Sequence, residues 1–182
     1  HLSIRRQRQM CIRDSCGLVQ LGYVVDREIL FCRNYPYDSS TTKSLAEHFH
    51  DLAQQTIADY SIRPGSLVVD IGSNTGVLLG MFKRHDAKVL GVEPAANIAE
   101  IARSRNIDTV MSFFSPEVAS RIVQENGPAK AITATNVFAH VDDLHTLLKG
   151  IDVLLDPEGV FVIETPYLVD LIEKLEYDTI YH

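Results

Sequence analysis

The seven residues Asp70-Ile71-Gly72-Ser73-Asn74-Thr75-Gly76 have types and spacing that imply chemistry. Gly72 lets the chain turn tightly and brings backbone close to a ligand. Asn74 tolerates left-handed backbone angles better than most non-glycine residues. Gly76 allows close packing of a following helix on the preceding strand. The free N–H groups at the start of such a helix can bind a ligand. A dinucleotide fingerprint requires glycines at relative positions one, three and six. Here they stand at one and five, with Asn74 at three. A carboxylate at Asp70 would repel a pyrophosphate and favour a ligand that carries an ammonium and a sulfonium. A Gly-rich turn with a purely structural purpose is the alternative.

Other groups fall where such a ligand needs them. Glu93 lies 21 positions after Gly72, at the expected end of a second strand. An acid there accepts hydrogen bonds from ribose hydroxyls, and Pro94 follows it. Phe113 and Phe114 follow a third strand, where an adenine ring belongs; one stacks on it, or both are core residues. The stretch 136–140, with Asn136, Val137 and His140, follows a fourth strand beside the expected transfer centre. The charge pattern and these positions point to S-adenosylmethionine as cofactor. His140 titrates in a range that suits acid–base work near neutrality; the competing roles are capping or simple exposure. Tyr35 and Tyr37 read equally as site or packing aromatics. His48, His50, His85 and His145 read as surface residues.

The elements that must position these groups alternate. Residues 17–31 alternate loosely in polarity, as a short hairpin or the tail of another domain would, and 35–40 is turn-like. A helical pattern begins near Thr42, with cap candidates at 39–42. Strands are expected at 67–71, 88–92, 107–111, 129–135 and 160–164. Helices are expected at 77–83, 95–103, 116–124, 141–155 and 167–176, with a turn at 156–159. Short apolar strands alternating with helices imply an α/β fold: a Rossmann-like, doubly wound, mostly parallel sheet with helices on both faces. Ligands on such sheets bind beyond the carboxyl ends of the strands.

Composition sets wider bounds. Of 182 residues, 46% are hydrophobic and 23% charged, an ordinary globular profile. The net charge of −7 argues against a general nucleic-acid partner. No apolar run suggests a membrane span, and no secretory signal pattern is seen. The cysteines Cys11, Cys16 and Cys32 form no C-x-x-C pair, so reduced thiols in a cytoplasmic protein are expected and no metal site is assigned. Residues 1–15 carry four arginines and no helix or strand period. They are expected to be a non-native lead, since 6–15 resembles translated adapter sequence, or a basic disordered arm. Residues 16–40 read as a junction from a preceding domain and 41–182 as the cofactor-binding domain, which is expected to be truncated after the fifth strand and the helix that follows it.

Together, Asp70-x-Gly72-x-Asn74-x-Gly76, Gly91-Val92-Glu93-Pro94 and Asn136-Val137-Phe138-Ala139-His140 resemble class I S-adenosylmethionine-dependent methyltransferases. Three further stretches are similar to the sugar C-methyltransferase branch: Cys16-Gly17-Leu18-Val19-Gln20-Leu21, Tyr35-Pro36-Tyr37-Asp38-Ser39-Ser40 and Tyr177-Asp178-Thr179-Ile180-Tyr181-His182. That branch methylates nucleotide-linked 4-keto-deoxyhexoses through an enolate. Its members begin with a cysteine-rich zinc domain and continue into a Glu-His pair and a C-terminal substrate domain. Cys16 resembles the last zinc ligand, but Arg13 stands three positions before it where the family has a partner. The chain therefore reads as a fragment, expected to be monomeric. The resemblance implies Tyr35, His140 and Tyr181 as the acid–base and enolate-stabilising set. Two alternatives stay open: an inactive cofactor-binding module, and an O- or N-methyltransferase acting on a small molecule.

Overall fold

The computed structural model describes residues 10–12, 19–21, 25–32 and 35–175. Strands β1 (Met10–Ile12) and β2 (Val19–Leu21) form an antiparallel pair. Residues 10–12 thus form a strand within the stretch expected to have no period. Helix α1 (Arg27–Phe31) then replaces the end of the expected hairpin. Asp26 explains the change, since its carboxylate accepts from the amide of Glu28 at 2.8 Å and caps the helix.

The main unit is a five-stranded parallel sheet in the order β5-β4-β3-β6-β7. Its strands are β3 (Leu67–Ile71), β4 (Lys88–Val92), β5 (Thr109–Val110), β6 (Ala129–Thr135) and β7 (Leu155–Glu164). All five residues of β3 are buried, as an apolar central strand covered on both faces must be. The expected doubly wound α/β sheet is the fold observed, and here it is fully parallel.

Alternate residues of β3 feed two core layers. Val68 joins Phe49, Ala53, Leu78 and Phe82 beneath helices α2 (Lys43–Asp59) and α3 (Val77–Lys83). Leu67, Val69 and Ile71 join Ile122, Leu147, Ile151 and Leu154. Those come from α5 (Pro116–Asn126) and α6 (Leu144–Leu154). Helix α4 (Ala96–Ser104) adds Ala102 to the first layer. Truncating a fully buried ring such as Phe82 to alanine costs about 3–5 kcal/mol, so these layers hold the sheet rigid under the site.

Element ends differ from the expectations for local reasons. Strand β5 keeps only two residues because the Ile107 amide donates to the Ala102 carbonyl at 3.1 Å and its side chain is buried. Helix α6 starts at Leu144, later than the expected 141, because Asp143 caps it through the Thr146 amide at 3.0 Å. A short 3₁₀ helix (Phe138–His140) occupies the approach. The turn at 156–159 is a bulge inside β7, where pairing jumps from Ala129↔Leu155 to Ala131↔Val160. The last helix, α7, covers Leu168–Glu173, shorter than expected, and Leu175 beyond it takes a left-handed φ of 56°. No helix among the described residues is long and apolar enough to cross a membrane.

Candidate functional site

The chain steps outward from β3 to β4 and β5, then returns to β6 on the other side of β3. The reversal leaves a crevice beyond the carboxyl ends of β3 and β6, where open α/β sheets take their ligands. The loop from Gly72 to Gly76 leaves β3 at this crevice. Gly72, Asn74 and Gly76 all have positive φ, at 68°, 47° and 75°. A Cβ on Gly72 would lie 2.5 Å from Val137 Cγ2, so the loop also depends on close approach to the turn after β6.

Glu93, at the end of β4, ties the loop to its neighbours. One carboxylate oxygen accepts from the Asn74 amide at 3.0 Å and the other from the Ala95 amide at 2.9 Å. The side chain is 5% exposed. Burial raises its pKa, and the bonds from Ala95 and Asn74 oppose that rise. Pro94 is half-buried beside it. Glu93, expected to be a ribose acceptor, organises the loop backbone through both carboxylate oxygens.

Asp70 lies at the end of β3, 2% exposed, and accepts from the Thr133 hydroxyl at 2.6 Å. Burial pushes its pKa up to about 7; the Thr133 bond lowers it and the charge of Glu93 raises it further. Ser73 Oγ is buried in the loop and has no hydrogen-bond partner among the described residues. It lies so close to Gly91 that any side chain at 91 would displace it.

Asn74 has a second task that its spacing did not reveal. Its Oδ1 accepts from the amides of Ser39 and Thr75, both at 2.9 Å, and its Nδ2 donates to the Tyr37 carbonyl at 3.0 Å. The Thr75 hydroxyl donates to Asp38 at 3.0 Å. Arg105 reaches the Thr75 carbonyl and the Ser40 hydroxyl. Asn97 Nδ2 donates to the Tyr35 carbonyl at 3.0 Å. Segment 35–41 is therefore strapped across the loop and the start of α4.

The strap carries Tyr35, which is half-buried and feels the charge of Glu93. Phe31 lies 5.9 Å from Tyr35 and 6.1 Å from His140, ring centre to ring centre, so one phenyl ring bridges two of the expected acid–base residues. Burial, with Glu93 and Tyr37 adding to it, raises the Tyr35 pKa. A phenol held in this way stays protonated and donates. His140 is exposed at the end of the 3₁₀ helix. Tyr181 lies outside the described residues.

The two phenylalanines after β5 separate. Phe114 packs on the second core layer and presses on Gly150. Phe113 lies under the Arg27 guanidinium, 4.5 Å from its ring centre. Asn136, exposed and left-handed at φ 56°, begins the turn to Val137. His48 is exposed, as expected of a surface histidine, and bonds Glu164 Oε2 at 2.5 Å. Glu164 also accepts from Asn136 Nδ2 at 3.1 Å.

A family model described as a methyltransferase domain matches residues 42–181. The C-methyltransferase NovU of Streptomyces niveus is 36% identical over 167 residues, covering 92% of this chain and 40% of that protein. A ubiquinone biosynthesis O-methyltransferase of Rhodopseudomonas palustris is 30% identical over 105 residues, covering 56% of this chain and 40% of its own length. The chain thus spans about 40% of the length of these curated relatives. An S-adenosyl-L-homocysteine complex of a Geobacter sulfurreducens methyltransferase shares the fold. Its TM-score is 0.51 at 19% identity, over 66% of this chain and 48% of that one.

Proposed function

The chain belongs to the methyltransferase-domain family, and from that premise we propose that it takes S-adenosyl-L-methionine in the β3/β6 crevice and directs its methyl group to carbon. The observation that carries this reading is the pairing of a left-handed glycine loop with Asp70, an acid buried at the end of the strand that leads into it. A cationic ligand draws Asp70 to its ionised form, whereas a pyrophosphate opposes it. Ser73 Oγ, buried and without a partner among the described residues, offers a further polar contact. On this reading Gly72, Ser73, Asn74, Gly76 and Val137 shape the cradle. Glu93 and Pro94 hold the ribose side, Phe113 faces adenine, and Asn136 borders the amino-acid end.

When bound, the cofactor supplies an electrophilic methyl group on a sulfonium. Carbon becomes a nucleophile only after losing a proton. A ketone acidifies the neighbouring C–H, a general base removes the proton, and hydrogen-bond donors hold the resulting enolate. Tyr35, protonated at neutral pH, suits the donor role. His140 suits proton transfer, and Tyr181 completes the set. The acceptor proposed is a nucleotide-linked 4-keto-deoxysugar, supported by the likeness to a C-methyltransferase over 92% of this chain. The protein is read as a cytoplasmic monomer.

Calorimetry with S-adenosylmethionine tests the cofactor, and absence of heat at millimolar ligand refutes it. Methyl transfer from labelled cofactor to a 4-keto-deoxysugar nucleotide, followed by NMR, tests the acceptor. Transfer to a phenol or catechol oxygen instead would favour O-methylation, a reading supported by the likeness to the ubiquinone biosynthesis O-methyltransferase. Binding without transfer to either would favour a cofactor-binding module.

A further inference from the structure

Glu164, at the end of β7, holds two separate parts of the chain. Its backbone carbonyl accepts from the Asn136 amide at 2.8 Å, and its Oε1 accepts from Asn136 Nδ2 at 3.1 Å. Its Oε2 meets His48 Nε2 at 2.5 Å. Asn136 is therefore gripped at both its backbone and its side chain by one residue of the neighbouring strand.

The grip falls on a turn that needs it. Asn136 holds a φ of 56°, a left-handed conformation that asparagine reaches at less cost than most residues and that one fixed set of contacts must still select. The residues that follow depend on the direction set there. Val137 packs against Gly72 of the glycine loop, and the 3₁₀ helix that follows ends at His140. His48 comes from α2, which is anchored by buried Phe49, Ala53 and Thr56. The side chains of His48 and Glu164 are 49% and 29% exposed, so their pairing adds little to stability. Its consequence is geometric, because the carboxylate is oriented by a rigid helix on one side and orients the turn on the other.

We propose that Glu164, oriented by His48, is a positioning residue that fixes the Asn136 turn and thereby sets the placement of Val137 and His140 relative to the glycine loop. This deepens the reading of the crevice as a methyl-transfer site and rests on it for the identity of the ligand. Neither His48 nor Glu164 needs to touch the cofactor.

The test compares Glu164→Ala, Glu164→Gln and His48→Ala in the full chain. Glutamine keeps an acceptor for Asn136 and meets the other tautomer of His48, which then accepts where it had donated. Two readouts are taken: cofactor affinity by calorimetry, and amide hydrogen exchange at residues 136–140 without ligand. Glu164→Ala is expected to weaken binding about tenfold and to speed exchange in the turn, while the unfolding midpoint stays near that of the parent. Glu164→Gln should restore both readouts, and His48→Ala should shift both in the same direction by less. Unchanged exchange in Glu164→Ala overturns the proposal, as does a glutamine variant as impaired as the alanine one. If the parent chain binds no cofactor, the methyl-transfer reading fails, and the exchange data still decide the positioning role.

Discussion

Asn74 Oδ1 accepts a 2.9 Å hydrogen bond from the amide of Ser39, 35 residues earlier in the chain. With the Asn74 Nδ2 bond to the Tyr37 carbonyl, one carboxamide joins the glycine loop to the strap that carries Tyr35. The loop and a candidate catalytic group are thus held in one frame before any ligand arrives, and such pre-organisation lowers the cost of binding.

Asn74→Ala is expected to lose about 1–3 kcal/mol of stability. The Ser39 and Thr75 amides would both lose their acceptor in a buried setting, and an unsatisfied buried donor costs more than a typical bond is worth. Urea denaturation measures the loss. A cost below about 0.5 kcal/mol would mean that water replaces the carboxamide and the strap is held by its other contacts.

The glycines differ in what they protect. Gly65 has φ 81° with nothing within 4 Å of an added Cβ, so Gly65→Ala bears only the backbone term of about 1–2 kcal/mol. Gly72→Ala bears the same term plus a collision with Val137 Cγ2, worth about 1–3 kcal/mol more. Val137→Ala introduced into Gly72→Ala should recover the steric part and leave the backbone part. A double-mutant cycle in urea reads that coupling, and strict additivity would contradict it.

Asp70 gives stability an inverted pH dependence. The native carboxyl keeps its proton up to about 7, while an unfolded one releases it near 3.8. Between those values the native state binds more protons, so this residue's contribution is full at low pH and is lost as pH rises through about 7. Asp70→Asn removes the effect and should gain up to roughly 4 kcal/mol over the parent at pH 8. Cofactor affinity moves the opposite way, rising from pH 6 to 8 as Asp70 ionises. Denaturation and calorimetry across that range check both slopes, and equal pH dependence in parent and variant would refute the assignment.

The central strand and its loop were legible because an apolar run, a left-handed residue and two glycines each impose local conformations. Pro116 marked the start of α5 for the same reason, and the structure adds a Ser115 cap that accepts from the Val118 amide. The strap was not legible, since Ser39 and Tyr37 meet Asn74 through backbone groups that side-chain type does not announce. His48 looked like any exposed helical histidine because its partner, Glu164, lies 116 residues away. Residues 27–31 show the limit of periodicity: a loose apolar alternation yielded to the Asp26 cap.

Arg27 covers one face of the Phe113 ring. Its guanidinium lies 4.5 Å above the centre of the Phe113 ring, a cation–π contact worth about 0.5–1 kcal/mol at an accessible site. If adenine stacks on that face, the arginine must leave first, and its departure subtracts from binding. Arg27→Ala should therefore tighten S-adenosylmethionine by about two- to fivefold, in line with the contact it removes. Phe113→Ala should weaken binding and abolish the benefit of removing Arg27, because the two act through one ring face. Calorimetry of the single and double variants measures the coupling. Weaker binding in Arg27→Ala with Phe113 intact would instead make the guanidinium part of the ligand's own enclosure and overturn the displacement.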